Sequence, residues 1–217
     1  MKYALLISLS ALALASCTTP PAQPLAKVAA PAAAINYDAA MADMMRNSFE
    51  SRGIATTERL VQDDTNIECS KSALLDKDLD EKLSAKIEAA NLATIKPPAD
   101  GVFLGDWKQG ETIAQSGRGN TWTDAATAPN GGNCYNCHQI SKTELSYGSL
   151  GPSLYNYGKQ RGNSQAIVDY TWGKLNNAKA YNACSGMPRF GHAKILTEAQ
   201  IKHVMALLLD PASPVNQ

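Results

Sequence analysis

Cys134-Tyr135-Asn136-Cys137-His138 is the stretch whose residue types and spacing can do chemistry. C-x-x-C-H is the attachment signature of c-type haem. Two thiols at this spacing each bond a haem vinyl group, and the adjacent imidazole then lies against the iron. On that reading Cys134 and Cys137 tether one haem c covalently, and His138 is the proximal ligand. Half of a zinc site and a thioredoxin-like redox pair are the competing chemistries. Zinc asks for a second ligand pair of similar form, which the sequence lacks. A thioredoxin-like pair follows a strand and opens a helix, whereas Gly131-Gly132-Asn133 precedes this one.

The ligand on the other side of the iron separates electron transfer from catalysis. Met187 is the strongest candidate, in Cys184-Ser185-Gly186-Met187-Pro188-Arg189-Phe190-Gly191-His192. Gly186 and Pro188 hold it in a loop, and a thioether is a soft neutral ligand that favours ferrous iron. A sixth ligand also leaves no open position for oxygen or peroxide. An isolated methionine in such a loop is more often a packing residue; the upstream C-x-x-C-H reverses that preference. His192, five residues on, is the first rival. His203 reads as a surface or helix-packing residue and Met205 as core.

Those residues have to be exported before haem can be attached in this way. Lys2 gives a positive start, and Tyr3 to Ala15 is an uncharged, mostly apolar run too short to span a bilayer. It ends Leu14-Ala15-Ser16-Cys17, which resembles a bacterial lipobox. Residues 1–16 are then a lipoprotein-type signal peptide, and Cys17 the lipidated N-terminus. The alternative is ordinary cleavage nearby, with Cys17 a stray thiol. Residues 17–35 carry Pro20, Pro21, Pro24 and Pro31 among many alanines, the composition of an extended tether. The 18 residues from Thr18 to Ile35 reach at most ~60 Å, at about 3.3 Å per residue.

Five cysteines can then be allotted. With Cys17 taking lipid and Cys134 and Cys137 taking haem, Cys69 and Cys184 are left over, and in an oxidising compartment such a pair is most simply a disulfide. It would pin the upstream helices to the Met187 loop. In the competing reading Cys184 is a free thiol with only Arg189 and His192 near in sequence to lower its pKa.

The elements that position these residues read as all-α. Residues 36–100 form a helical extension: Met41, Met44, Met45 and Phe49 recur at helical spacing, as packing residues, before a stop at Gly53. Leu75, Leu79, Leu83 and Ile87 repeat every four residues until Pro97-Pro98. Residues 101–217 form the haem domain. A first helix runs from Trp107 to Gln115, stopped by Ser116-Gly117-Arg118-Gly119, and a polar insert leads into the motif. Gly151-Pro152-Ser153-Leu154 fixes a turn, Ser164 to Leu175 is another helix, and Thr197 with Gln200 forms a capping box opening Ile201 to Leu209. Lys+Arg 20 against Asp+Glu 20 leaves no basic field for nucleic acid or anionic lipid.

Gly132 to Gln139, Gly148 to Tyr157, Tyr170-Thr171-Trp172, Cys184 to His192 and Met205 to Asn216 together resemble the SoxX subunit of the bacterial sulfur-oxidation system. The resemblance runs from about Gly101 to the C-terminus, with its motifs in order. It implies a cytochrome c-like domain carrying one haem c, with His138 proximal, Met187 distal and the Pro152 carbonyl bracing His138. It also implies a heterodimer with SoxA, and a periplasmic L-cysteine S-thiosulfotransferase complex in which the catalytic cysteine belongs to SoxA. That complex couples thiosulfate oxidatively to a cysteine of the SoxYZ carrier. This chain's part is then to pass electrons to a soluble cytochrome c, so enzyme activity belongs to the complex. Two other classes stay open, a stand-alone periplasmic peroxidase and a haem-based ligand-binding module. Either needs an open or displaceable sixth position.

Overall fold

Short polar caps set the helix boundaries. The computed structural model describes residues 36–217. The signal-like run, Cys17 and the Pro/Ala-rich tether lie outside the described residues. The described residues hold seven α-helices: α1 (Tyr37–Ser48), α2 (Asp64–Leu74), α3 (Glu81–Leu92), α4 (Trp107–Gln115), α5 (Tyr157–Arg161), α6 (Gln165–Asn176) and α7 (Glu198–Leu209). Short 3-10 turns join some of them, and an isolated bridge between Arg52 and Ala55 is the only β-type pairing among the described residues. The fold class is all-α.

The chain divides into Met1–Met45 and Arg46–Gln217, with α1 crossing the boundary. Methionines at helical spacing were expected to pack, yet Met41 is 58% and Met44 51% exposed. No residue of α1 is buried, so its apolar positions form no core. The helix also ends at Ser48, ahead of both Phe49 and Gly53.

The four-residue leucine repeat does not make one helix. Asp76 takes a left-handed φ of +49°, which ends the α2 run, and Asp80 starts α3 by accepting from the Lys82 and Leu83 N–H groups. Leu75 is therefore the C-cap of α2, Leu79 lies between helices, and only Leu83 and Ile87 share α3. Local hydrogen bonding by Asp outweighs the apolar period here. Ile87 and Asn91 are the buried residues of α3. The Asn177 amide donates to Asn91 Oδ1 at 2.9 Å and to Thr94 Oγ1 at 3.1 Å, satisfying the buried polar groups where α3 meets the end of α6.

The core is built on α7. Thr197 and Gln200 form the capping box reciprocally, the Gln200 N–H donating to Thr197 Oγ1 and the Thr197 N–H to Gln200 Oε1. Seven of its residues are buried, with Met205, Ala206 and Leu207 fully enclosed. α4 begins at an Asp106 cap and crosses α7 closely at Gly110, where an added Cβ would meet the His203 carbonyl oxygen at 2.1 Å. That approach is open to glycine alone. Residues after α7 fold back onto it: Asn216 Nδ2 donates to the Leu208 and Asp210 carbonyls at 3.1 and 2.9 Å. On α6, Trp172 is 3% exposed, donates Nε1–H to the Lys96 carbonyl at 2.8 Å, and takes the Phe103 ring edge-on at 5.5 Å.

Candidate functional site

Cys134–Asn136 is a single 3-10 turn entered through Asn133 in the left-handed region. The Cys134 carbonyl accepts from the N–H of Cys137 at 3.1 Å and of His138 at 2.9 Å, so the two cysteines and the histidine are held on one tight turn. Cys134 and Cys137 are both free and half-buried. Burial pushes the Cys134 thiol up to about 12. A thiol kept protonated is a poor attacking nucleophile, which disfavours a thioredoxin-like role. Among the described residues, no group of three or more His, Cys, Asp and Glu converges as a metal cluster would require.

The segment after the turn closes over His138. The Gly148 N–H donates to the Tyr135 carbonyl and the Gly151 N–H to the Cys137 carbonyl, each at 2.8 Å. At Gly151 an added Cβ would lie 2.2 Å from His138 Cε1; the backbone comes close to the imidazole there because no side chain intervenes. The next carbonyl completes the arrangement. Pro152 O lies 2.7 Å from His138 Nδ1, so Nδ1–H donates and Nε2 keeps its lone pair for a ligand bond. The donor set fits a covalently held haem: two unlinked thiols on one turn, and an imidazole whose tautomer and orientation are fixed by its other nitrogen.

Met187 stands in the loop between α6 and α7. It is half-buried and packs against the same apolar cluster as Cys134, the cluster built on Met205, Leu207 and Phe190. Its N–H donates to Ser185 Oγ at 3.2 Å. Phe190 anchors the loop, its carbonyl accepting from the N–H groups of Ile195 and Leu196 at 2.9 and 3.1 Å. His192 lines a cavity of about 250 Å³ with Trp172, Asn176 and Glu198. Burial lowers its pKa, Arg189 adds to that, and Asp63 partly opposes it. His203 is engaged structurally: its Nδ1 accepts the Asp106 N–H at 2.9 Å, at the start of α4. Met205 is core at 0% exposure.

Cys69 on α2 and Cys184 form a disulfide, with Cα atoms 5.5 Å apart and a sequence separation of 115 residues. Cys184 is thus not a free thiol. A second link lies beside it, Arg189 to Asp63 at 2.6 Å. Asp63 also caps α2 by accepting the Asn66 N–H at 2.8 Å. Burial pushes the Asp63 carboxyl up, but Asn66 and Arg189 together outweigh it and hold the group below the usual carboxylate range. The sequence does not reveal this pairing, because it depends on α2 packing beside the Met187 loop.

A third group escaped the sequence altogether. Tyr135, inside the C-x-x-C-H run, is 6% exposed and donates its O–H to Glu111 Oε1 on α4 at 3.0 Å. The other carboxylate oxygen, Oε2, is buried without a hydrogen-bond partner. Burial raises the Glu111 pKa; the Tyr135 hydrogen bond opposes this, Glu144 adds to it, and Gln115 opposes it. Tyr135 itself is pushed up to about 12, chiefly by burial. Tyr135 and Trp172 are both interior residues.

No family model matches the chain. An uncharacterized lipoprotein of Aquifex aeolicus (strain VF5) is 36% identical to it over 126 residues, covering 58% of this chain and 59% of the relative. The chain thus matches less than two thirds of that protein's length. No helix among the described residues is long and apolar enough to cross a membrane.

Proposed function

We propose that this chain is a monohaem c-type cytochrome that relays single electrons, in the manner of the SoxX subunit it resembles. The observation that carries the reading is the setting of His138: Nδ1 is taken by the Pro152 carbonyl at 2.7 Å, beside two unlinked cysteines on the same turn. Cys134 and Cys137 would each add S–H across one haem vinyl group, His138 would bind iron through Nε2, and Met187 would supply the second axial ligand. When bound, the haem supplies a one-electron couple.

The chain's own residues set how that couple is held. Pro152 keeps the Nδ1 proton in place, which fixes the imidazole plane and raises its basicity as a ligand. Gly151 lets the loop lie against that ring. Met187 is half-buried on the apolar cluster, and there its thioether would hold the iron opposite His138 and exclude water. The Cys69–Cys184 disulfide and the Arg189–Asp63 pair hold its loop from either side. If His138 and Met187 both held the iron, substrate chemistry would fall to a partner. The SoxX resemblance makes that partner SoxA, with SoxYZ carrying the substrate cysteine and a soluble cytochrome c receiving the electrons. The lipoprotein relative supports a membrane-anchored chain; on this reading the anchor is a lipidated Cys17 and the compartment is the periplasm.

Axial ligation decides between relay and catalyst. The ferrous wild-type protein is expected to take up carbon monoxide slowly and incompletely, while Met187→Ala binds it stoichiometrically and loses the low-spin His/Met spectrum. His192→Ala is expected to behave as wild type. Loss of the low-spin signature in His192→Ala instead would assign the ligand to His192. Rapid stoichiometric binding by the wild type would favour a ligand-binding or peroxidase role. Co-purification tests the SoxX assignment separately, since the chain should bring down a second haem protein with a cysteine-ligated iron.

A further inference from the structure

Glu111 places a carboxylate against the haem-attachment turn without using all of it. One oxygen accepts from Tyr135 Oη at 3.0 Å and from Gln115 Nε2 at 3.0 Å. The other is buried and unpaired. A buried carboxylate oxygen without a donor is a costly state, and it marks a position where a proton stabilises the group. The facing groups do not supply a compensating cation. The turn offers Tyr135, the 141–150 segment offers Glu144, whose charge raises the Glu111 pKa further, and α4 itself offers Gln115. Lys108, one turn earlier on α4, has its ammonium 5.7 Å from the centre of the Trp107 ring.

We infer that Glu111 is a redox-linked proton acceptor, gaining one proton when the haem tethered at Cys134 and Cys137 is reduced and releasing it on reoxidation. The inference rests on the haem reading proposed above. The step balances: one electron enters from a partner redox protein, one proton enters from solvent onto Oε2, and the local net charge is unchanged. An added electron disfavours a nearby carboxylate, so reduction raises the affinity of Glu111 for its proton. Tyr135 joins the two sites, because its main chain lies between the tethering cysteines and its hydroxyl ends on Glu111. Electron transfer through this chain then carries a proton with it over a limited range of pH.

The test is the midpoint potential of the full haem-loaded chain, followed optically from about pH 4 to about pH 9. In the wild type it is expected to fall as pH rises through the interval bounded by the two Glu111 pKa values, at up to tenfold in the reduction equilibrium, about 59 mV, per pH unit. In Glu111→Gln that fall is lost. In Tyr135→Phe it moves to higher pH, because the carboxylate has lost a donor. Infrared redox-difference spectra should show a protonated carboxyl band appearing on reduction in the wild type and shifting in Tyr135→Phe. These two measurements suffice if Glu111→Gln does not mature. A flat wild-type profile, a slope kept in Glu111→Gln as haem propionates would give, or a Tyr135→Phe profile that does not move overturns the inference with the haem reading intact. A chain that carries no haem overturns both.

Discussion

At the scale of single residues, the site depends on side chains whose second partner has been fixed. His138 can present Nε2 only because Nδ1 is committed to Pro152 O. Asp63 works in the same way, capping α2 with the carboxylate that also holds Arg189. Its folded pKa lies below the usual value, so the stabilisation is present above about pH 4 and is lost as pH falls through the folded pKa. Asp63 is 41% exposed in its side chain, so the contribution is no more than about 1 kcal/mol after solvent screening. Urea unfolding of Arg189→Met should show a deficit of that order near neutral pH that shrinks toward zero in acid. A deficit unchanged by pH would assign the effect to packing of the Arg189 stem.

Helices show what can be read from sequence and what cannot. α4 was expected at Trp107 to Gln115 and is found there, since an Asp cap precedes it and a Gly-rich stretch follows. α7 was legible from its capping box and apolar run. The leucine repeat from Leu75 to Ile87 misled because periodicity carries no information about Asp76 turning left-handed or Asp80 capping a new helix. Met41 and Met44 misled for a different reason: helical spacing marks a face, and nothing in the spacing says what covers it. The C-x-x-C-H run could be read as a unit, whereas Glu111 and Asp63 could not, because each meets its partner only after distant helices pack. The α4–α7 crossing depends on one atom that is absent. Gly110→Ala should gain about 0.5–1 kcal/mol of helix propensity and lose more, about 1–3 kcal/mol, as the Cβ forces α4 off the His203 carbonyl. A net loss in thermal unfolding is expected; a net gain would mean that the helices separate freely.

For the molecule as a whole, the upstream segment is fastened to the Met187 loop at two points, one covalent. Closing a loop with 115 residues of separation is worth up to about 4.7 kcal/mol in the chain-entropy model, and engineered cases often give less. Cys69→Ser with Cys184→Ser should therefore lower the denaturation midpoint of the unit Arg46–Gln217. Alkylation of the unreduced wild-type protein should leave both cysteines unlabelled. If both label freely, the covalent fastening is absent in solution. The larger claim is that the molecule exists to hold one haem on the turn Cys134–His138. The alkaline pyridine haemochrome spectrum of the full chain, matured through export in a host that makes c-type cytochromes, tests it most directly. The expected result is one haem per chain with both vinyl groups saturated by thioether bonds. A colourless chain with Cys134 and Cys137 as free thiols would contradict it.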